Sequence, residues 1–385
     1  MRFVNQCIRK FLDAFKKGDM ILLALCLLTT IVGVVIVSSA TAHLNSPRYI
    51  TMQLLATFLG VVLFVLISTI DLDFIMEYRV FLVIFNCIFL LLLLPFGVSH
   101  GGNRSWIKFP KIPMEIQVAE ILKTTYILIM ASVMAAHQNR LSKFSSVMHM
   151  VLHLGLLVGL NMVLSKDAGV SLIFVFIFIG MTFAGGVHKG WFFFALSCLA
   201  VGFPILWPML GNHQRARIEV LFDPTIDPNA TGIRWHTNQG MLSLSGGDLM
   251  GQGLFNGRRT TAGALKAQHT DYIFSAIGEE LGFIGCMAIL LLEFAIIARI
   301  IYVGIKTPDF ARRVVCFGAA SALIFQVISN VGMNLGVMPV IGLTLPFISY
   351  GGSSMLSLYA MLGLVSGVFA RPAPGKQGMY VRPPR

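Results

Sequence analysis

"MILLALCLLTTIVGVVIVSSA", residues 20 to 40, carries no charged side chain from end to end. A helix needs roughly 20 predominantly apolar residues to cross a bilayer, and this run is that long. It follows Arg9, Lys10, Lys16 and Lys17 and closes on the small residues "SSATA", the outline of a secretory signal. Its apolar part exceeds the roughly 7 to 15 residues of an ordinary signal core, so it reads as a retained first membrane helix. Nine more such runs lie near 50–70, 79–97, 117–136, 147–164, 169–186, 190–210, 272–303, 313–335 and 350–370. The run at 117–136 differs in containing Glu120 and Lys123. Hydrophobic residues make up 56% of the 385 and charged residues 12%, about half the charged share of a soluble domain. The expected fold is all-α, a polytopic membrane protein of about ten transmembrane helices.

Cationic residues orient such a bundle, because cytoplasmic loops carry the excess of Lys and Arg. With the N-terminus inside, the inner segments hold Arg2, Arg9, Lys10, Lys16, Lys17, Arg79, Arg140, Lys143, Lys189, Arg299, Lys306, Arg312, Arg313, Arg371, Lys376, Arg382 and Arg385. The short outer loops keep Arg48, Arg104, Lys108, Lys111 and Lys166. Both termini are therefore expected in the cytoplasm. Residues 1–19 read as a basic tail, 20–371 as the membrane domain with a long extracytoplasmic loop at 211–271, and 372–385 as a disordered tail. The net charge of +12 follows from this topology. No basic patch is interleaved with aromatics as strand binding requires, so nucleic acid is set aside. Cys26, Cys87, Cys198, Cys286 and Cys316 lie in or beside apolar runs without short metal-ligand spacing, and Cys7 lies in the tail; they read as small apolar fillers.

The outer face then gathers the unusual chemistry: "SHGGNRSWIKFPKIP" (99–113), "SKDAG" (165–169), the long loop, and "GVMPVIGLTLPFISYGGSS" (336–354). Loops this long without obvious secondary structure are usually functional or disordered. The Gly-rich "LSLSGGDLMGQGLFNGRR" (242–259) fits either close backbone approach to a ligand or simple flexibility.

Ionisable residues inside spans are costly and by default mark a functional site. Glu120 and Lys123 share a helix face and can pair, as a site or as a neutralised structural couple. In "QHTDYIFSAIGEELG" (268–282), Glu279 and Glu280 lie about 12 Å along the helix from Asp271, too far to share a proton with it. Packing polarity that orients the eighth helix suits at least one of them. Asp271 itself, beside Thr270 at the helix start, suits a helix cap as readily as an active group.

"HTDYIFSAIGEELGFIG" (269–285) and "NVGMNLGVMPVIGLTLPFISYGGSS" (330–354) closely resemble the signature segments of the SEDS family, the RodA, FtsW and SpoVE proteins of bacterial shape, division and sporulation. "NRSWIKF" (103–109), "IQVAEILK" (116–123), the Asp167-Ala168-Gly169 turn and "SGGDLMGQGLFNG" (245–257) resemble it in the same order along the chain. The resemblance implies ten spans and a peptidoglycan glycosyltransferase on the outer face of the plasma membrane. Such an enzyme transfers glycan from an undecaprenyl-diphosphate donor to the 4-hydroxyl of lipid II. The family's essential aspartate maps onto Asp271.

Converting an α-linked diphosphate sugar into a β-1,4 bond in one inverting displacement requires a base for the acceptor hydroxyl, worth about 10²- to 10⁴-fold, and cations for the leaving diphosphate. Asp271 is the candidate base. Arg104 and Lys123, with Glu120 holding the lysine, are the candidate cations. Arg258 and Arg259 are further candidates or a solvated pair. Trp106 suits the sugar or lipid path, or an interfacial anchor. Asp167 suits the cavity or its own turn. Glu279, Glu280, Asn330, Ser349 and Ser353 complete the candidate substrate-binding set. No cofactor is assigned, and the need for a divalent cation is left open.

This chain departs from the family pattern at Gln117-Val118-Ala119-Glu120, where Gln-Pro-Ser-Glu is usual, and at Lys166-Asp167-Ala168-Gly169-Val170, where Pro-Asp-Leu-Gly-Thr is usual. Ile341 and Thr344 replace a usual threonine and proline. The charged positions survive these changes, while elongation, division and sporulation stay open as its setting. Two other readings stand beside a polymerase: a lipid II flippase, which needs polar groups continuous across the bilayer, and a non-catalytic scaffold for a transpeptidase. The resemblance also implies a class B penicillin-binding protein as partner. The eighth and ninth helices are expected to meet it, through the small-residue run Gly318, Ala319, Ala320, Ser321 and Ala322.

Overall fold

Apolar runs without internal breakers become helices in lipid because every backbone polar group must be satisfied within its own segment. The computed structural model describes residues 15, 17–100, 103–108, 115–209, 212–223, 225, 227, 232, 234–265 and 267–371. Most of the basic tail, Lys111 and the tail at 372–385 lie outside the described residues. Ten long helices follow the expected runs: α1 (Met20–Ala40), α2 (Arg48–Ser68), α3 (Arg79–Leu91, prolonged by a turn at Leu93–Phe96), α4 (Val118–Ala136), α5 (Phe144–Leu164), α6 (Ala168–Ala184), α7 (Gly190–Leu206), α8 (Ile273–Lys306), α9 (Phe310–Asn334) and α10 (Gly352–Ala370). Eight of them are long and apolar enough to cross a membrane; α6 and α7 are shorter apolar helices. Large apolar side chains exposed along these helices, such as Phe58, Val163 and Val201, face the lipid.

The interior is built by close helix approach. Gly60 of α2 lies against the Tyr359 ring of α10, and Gly363 lies against the Phe64 backbone. α8 packs on α1 and α9, and α9 on α6 and α4. The small residues of α9 turn inward: a Cβ on Gly318 would lie 2.9 Å from Ile127 of α4 and from Met181 of α6, and Gly180 of α6 abuts Ser321. Ala319, Ala320 and Ala322 are buried. This face of α9, expected to meet a partner, is thus part of the bundle itself.

The two ends of the bundle differ in kind. At one, Asp19 caps α1 through the Leu22 N–H and takes Arg299 at 2.8 Å, and Arg312 pairs with Asp73 at 2.6 Å. At the other, β1 (Gly97–His100), β2 (Asn103–Ile107) and β3 (Ile116–Gln117) form a small antiparallel sheet, with Trp106 opposite Val98 and Gln117. The loop preceding α8 gathers at this hairpin end, carrying a helix at Trp235–Ser245 and a single turn at Arg258–Thr261.

The glycines of 245–257 serve close approach, and the surface approached is a helix backbone. α8 breaks at Gly282 (φ 68°, ψ −166°). The freed N–H groups of Phe283 and Ile284 donate to Asp248 O (2.9 Å) and Leu249 O (3.2 Å), while Gln252 N and Gly253 N donate to Glu279 O and Glu280 O. A Cβ on Gly247 would lie 1.8 Å from Gly278 O, and one on Gly251 2.2 Å from Glu280 O. The loop and the broken helix therefore satisfy each other's backbone.

Candidate active site

Asp271 stands in the turn before α8, and the chain around it is held from four sides. The buried Gln268 side chain donates to Ala40 O (2.7 Å) and Thr260 O (2.8 Å). His269 O accepts Tyr350 N–H at 2.8 Å. Thr270 O accepts Ser349 Oγ at 2.7 Å. Asp271 O accepts Asn330 Nδ2 (2.9 Å) and Asn334 Nδ2 (3.0 Å). Each backbone carbonyl from His269 to Asp271 is thereby committed to another element, which fixes the direction in which the carboxylate leaves the chain.

The carboxylate does not cap α8. The cap position is Tyr272, without a side-chain cap bond; Asn334 Oδ1 instead accepts Ser275 N (3.1 Å) and Ser275 Oγ (2.6 Å). A helix cap, the simplest sequence expectation for Asp271, is thus supplied by α9. Asp271 is left partly exposed, with Gly342 beside it: a Cβ there would lie 3.7 Å from Asp271 Oδ2. Burial without a compensating cation pushes its carboxyl up from 3.8 to about 6, because desolvation disfavours the charged form.

The hairpin joins the same end. Gly169 at the start of α6 abuts Ile341, the neighbour of Gly342. Asp167 caps α6 through Val170 N–H (3.1 Å) and accepts Ser105 Oγ at 2.8 Å, so its turn role is real and it also anchors β2. Arg104 donates from Nε to Gly97 O (3.1 Å) and from Nη2 to Leu94 O (2.9 Å), terminating α3. Trp106 is half-buried on the same strand.

Glu120 and Lys123 form a buried ion pair at 2.9 Å. It is a charge contact without hydrogen-bond alignment, since Lys123 Nζ and Glu120 Oε2 are both without a hydrogen-bond partner. Ser357 Oγ of α10 donates to Glu120 O, and Ser353 Oγ accepts Gln117 N–H at 3.4 Å.

The α8 glutamates are committed to the loop. Glu279 Oε1 accepts Arg259 N–H (2.7 Å), and its Oε2 accepts Thr260 N–H (3.0 Å) and Oγ1 (2.8 Å), capping the turn at Arg258–Thr261. Glu280 Oε1 accepts Ser39 Oγ at 2.6 Å. Glu279 is thereby tied to the turn at Arg258–Thr261 and Glu280 to α1. The Arg259 guanidinium donates to Gln239, whereas Arg258 is exposed.

Asn334 and Gln268 were overlooked by sequence reasoning, as was the buried Gln53 of α2, which donates to Ser349 O at 3.2 Å. A lone amide inside the apolar run at 50–70 is the signal that marks Gln53.

The fold and this convergence define a multi-pass helical membrane protein with a polar site built at one end of its bundle. Residues 19–371 match the profile of the FtsW, RodA and SpoVE family, described as cell cycle proteins, and the chain belongs to that family. It is 30% identical to the probable peptidoglycan glycosyltransferase FtsW of Thiomicrospira cyclica, over 90% of each chain. It is 31% identical to that of Trichlorobacter lovleyi, over 93% of this chain and 96% of the other. Among solved structures, it resembles a chain of a peptidoglycan synthase complex that coordinates polymerization and crosslinking, with a TM-score of 0.77 and 29% identity over 91% of this chain and 97% of that one. The rod shape determining protein RodA of Thermus thermophilus gives 0.69 and 26%, over 93% and 98%.

Proposed function

We propose that this protein is an inverting peptidoglycan glycosyltransferase of the bacterial plasma membrane, with its hairpin end outward, polymerising lipid II. The observation that carries the reading is Asp271: a carboxylate on a backbone held from four sides, itself uncommitted, whose carboxyl burial raises to about 6. A base with such a value is largely ionised at pH 7 yet accepts a proton readily. Asp271 takes the proton of the acceptor 4-hydroxyl as that oxygen attacks C1 of the donor sugar, and the undecaprenyl diphosphate departs from the opposite side. Lys123 and the remaining Nη1 of Arg104 receive the growing diphosphate charge, with Arg258 in reach of solvent and Trp106 lining the sugar or lipid path. Asn330 and Ser349 hold the base in place; Asp167, Ser353, Glu279 and Glu280 hold the cavity walls.

The relatives named as glycosyltransferases support this reading, and the synthase complex supports a penicillin-binding protein as partner. With α9 turned inward, the remaining apolar stripe of α8, exposed at Phe283, Leu291, Phe294 and Ile305, is the surface proposed for that partner's single span.

Purified protein given labelled lipid II and no other enzyme tests the proposal. Glycan strands are expected. Transbilayer movement of lipid II without polymer indicates a flippase, and neither outcome leaves a scaffold.

A further inference from the structure

A groove of about 410 Å³ opens between the end of α7 and the helix Asn212–Phe222, and the glycosyltransferase reading leaves it unused. Its walls are apolar: Phe203, Trp207, Ile218 and Phe222, with the Phe203 and Trp207 rings 5.3 Å apart. Glu219 and Asp223 complete the lining, two acids one helical turn apart. Neither makes an ion pair among the described residues.

That arrangement is costly while the groove is empty of cations. Both acids stand at the C-terminal end of their helix, where the dipole already concentrates negative charge. Arg215, one turn before Glu219, does not pair with it; its Nη2 donates to Pro208 O and its Nε is buried without a partner. Hydrogen bonds from the Thr225 hydroxyl and N–H hold the Asp223 carboxyl below its usual range. Two carboxylates beside aromatic rings are the setting that holds an ammonium group, and here a guanidinium lies one turn away.

The surroundings point to a lipid as the carrier of that ammonium. Every residue of α7 from Phe193 to Val201 is exposed, so lipid surrounds the middle of this helix. Its 17 residues rise about 25 Å, most of the roughly 30 Å of a hydrocarbon core. Trp207 and the groove therefore sit at headgroup level at the hairpin end, where tryptophan is favoured. Phe222 is 83% exposed and continues the apolar wall. A headgroup with negative charge alone meets two carboxylates here, whereas one with both ammonium and phosphate finds a partner for each.

We infer that this groove binds a phospholipid whose headgroup carries an ammonium. Glu219 and Asp223 hold the ammonium against the aromatic wall, Arg215 takes the phosphate, and the acyl chains run down α7. Arg217 of the same helix donates to Val340 O at 3.1 Å, in the segment that places Gly342 beside Asp271. A lipid that seats this helix thus braces one wall of the candidate site, a consequence that alone rests on the glycosyltransferase reading.

The test uses the full-length purified protein in detergent, titrated with phosphatidylethanolamine or phosphatidylglycerol of the same acyl chains and read by native mass spectrometry. Wild type is expected to bind the ammonium lipid roughly 10-fold more tightly, the scale of one charge-assisted hydrogen bond. Glu219→Gln combined with Asp223→Asn should erase that preference, lowering phosphatidylethanolamine binding roughly 10-fold and leaving phosphatidylglycerol binding equal or tighter. Arg215→Gln should weaken both lipids alike, since both carry the phosphate. N-acetylated phosphatidylethanolamine keeps the chains and loses the ammonium, so wild type should bind it no better than phosphatidylglycerol; this arm needs no variant to fold. Equal binding of the three lipids by wild type, a preference that survives in the double variant, or an Arg215→Gln variant that binds both lipids as wild type does overturns the inference. So does retention of an Arg- and Lys-rich peptide in place of any preferred lipid, which assigns the groove to a protein partner. Glycan synthesis is not read, so failure of the glycosyltransferase reading and failure of this inference are separate results.

Discussion

Asn334 holds the first turn of α8 and the turn before it with one side chain: its Nδ2 donates to Asp271 O at 3.0 Å while its Oδ1 accepts the Ser275 N–H at 3.1 Å. The end of α9 therefore fixes the start of α8 and the residue before it together. The role that sequence reasoning offered to Asp271, capping α8, is performed by Asn334, which leaves the aspartate free for chemistry.

Replacing Asn334 separates these duties. Asn334→Asp keeps an acceptor for Ser275 but cannot donate to Asp271 O, and it adds a like charge near the base. It should retain most of the stability and lose most of the polymerisation. Asn334→Ala leaves Ser275 uncapped and the Asp271 carbonyl without that donor, a loss of about 1–3 kcal/mol, visible as a lower thermal midpoint. Equal stability loss in both variants would show that the donor bond to Asp271 dominates.

Asp271→Asn should abolish polymerisation while leaving folding intact, because an amide cannot accept the proton and no cap is lost. Burial raises the folded carboxyl from 3.8 to about 6, so the folded state binds this proton more tightly than the unfolded chain does. The stability contributed by the group is full below about pH 4 and is lost as pH rises through about 6. Wild type should lose midpoint across that window relative to Asp271→Asn, and its kcat/KM should rise with pH through about 6. A rate independent of pH between 5 and 7 would remove Asp271 as the base.

The apolar helices were legible because a membrane span is written as length and apolarity, which need no partner to interpret; eight of the ten expected runs are long enough for one. The Glu120–Lys123 pair was legible for a similar reason, since two opposite charges three residues apart on a helix in lipid have few alternatives. What stayed hidden depends on contacts distant in sequence. Helical spacing showed that Gly318 to Ala322 form a small-residue run but not that it turns toward Ile127 and Met181. The glycines of 245–257 announced close approach without saying to what, and Gly282 looked like any glycine in an apolar run until the loop carbonyls appeared beside it.

Glu120 and Lys123 should act as a unit. Removing either leaves the other charged, buried and unpaired, which costs about as much as losing the pair, so Glu120→Gln, Lys123→Met and the double variant should lose similar amounts of activity. Lys123→Arg should also be impaired, because the planar guanidinium does not fit a space shaped by an ammonium. Losses that add across the double variant would show separate roles.

The break in α8 makes the sharpest structural prediction, because a second glycine in this protein serves as its control. Gly282 and Gly186 both have positive φ, 68° and 85°; alanine at Gly186 costs the strain of a positive φ, about 1 kcal/mol, and at Gly282, whose ψ of −166° puts it in a region that glycine alone adopts readily, about 1–3 kcal/mol. A Cβ on Gly186 meets nothing within 4 Å, whereas one on Gly282 lies 2.4 Å from Gly251 N and 2.6 Å from Leu249 O. Those are backbone atoms of the loop that satisfies Phe283 and Ile284, and they cannot withdraw without stranding the two N–H groups. Gly186→Ala should therefore lower the thermal midpoint by only a few degrees. Gly282→Ala should cost roughly 3 kcal/mol or more, open the 247–261 loop to limited proteolysis, and depress polymerisation through the Thr260 and Gln268 contacts that support the Asp271 turn. Equal midpoints for the two variants would mean that the loop yields freely and does not brace the site.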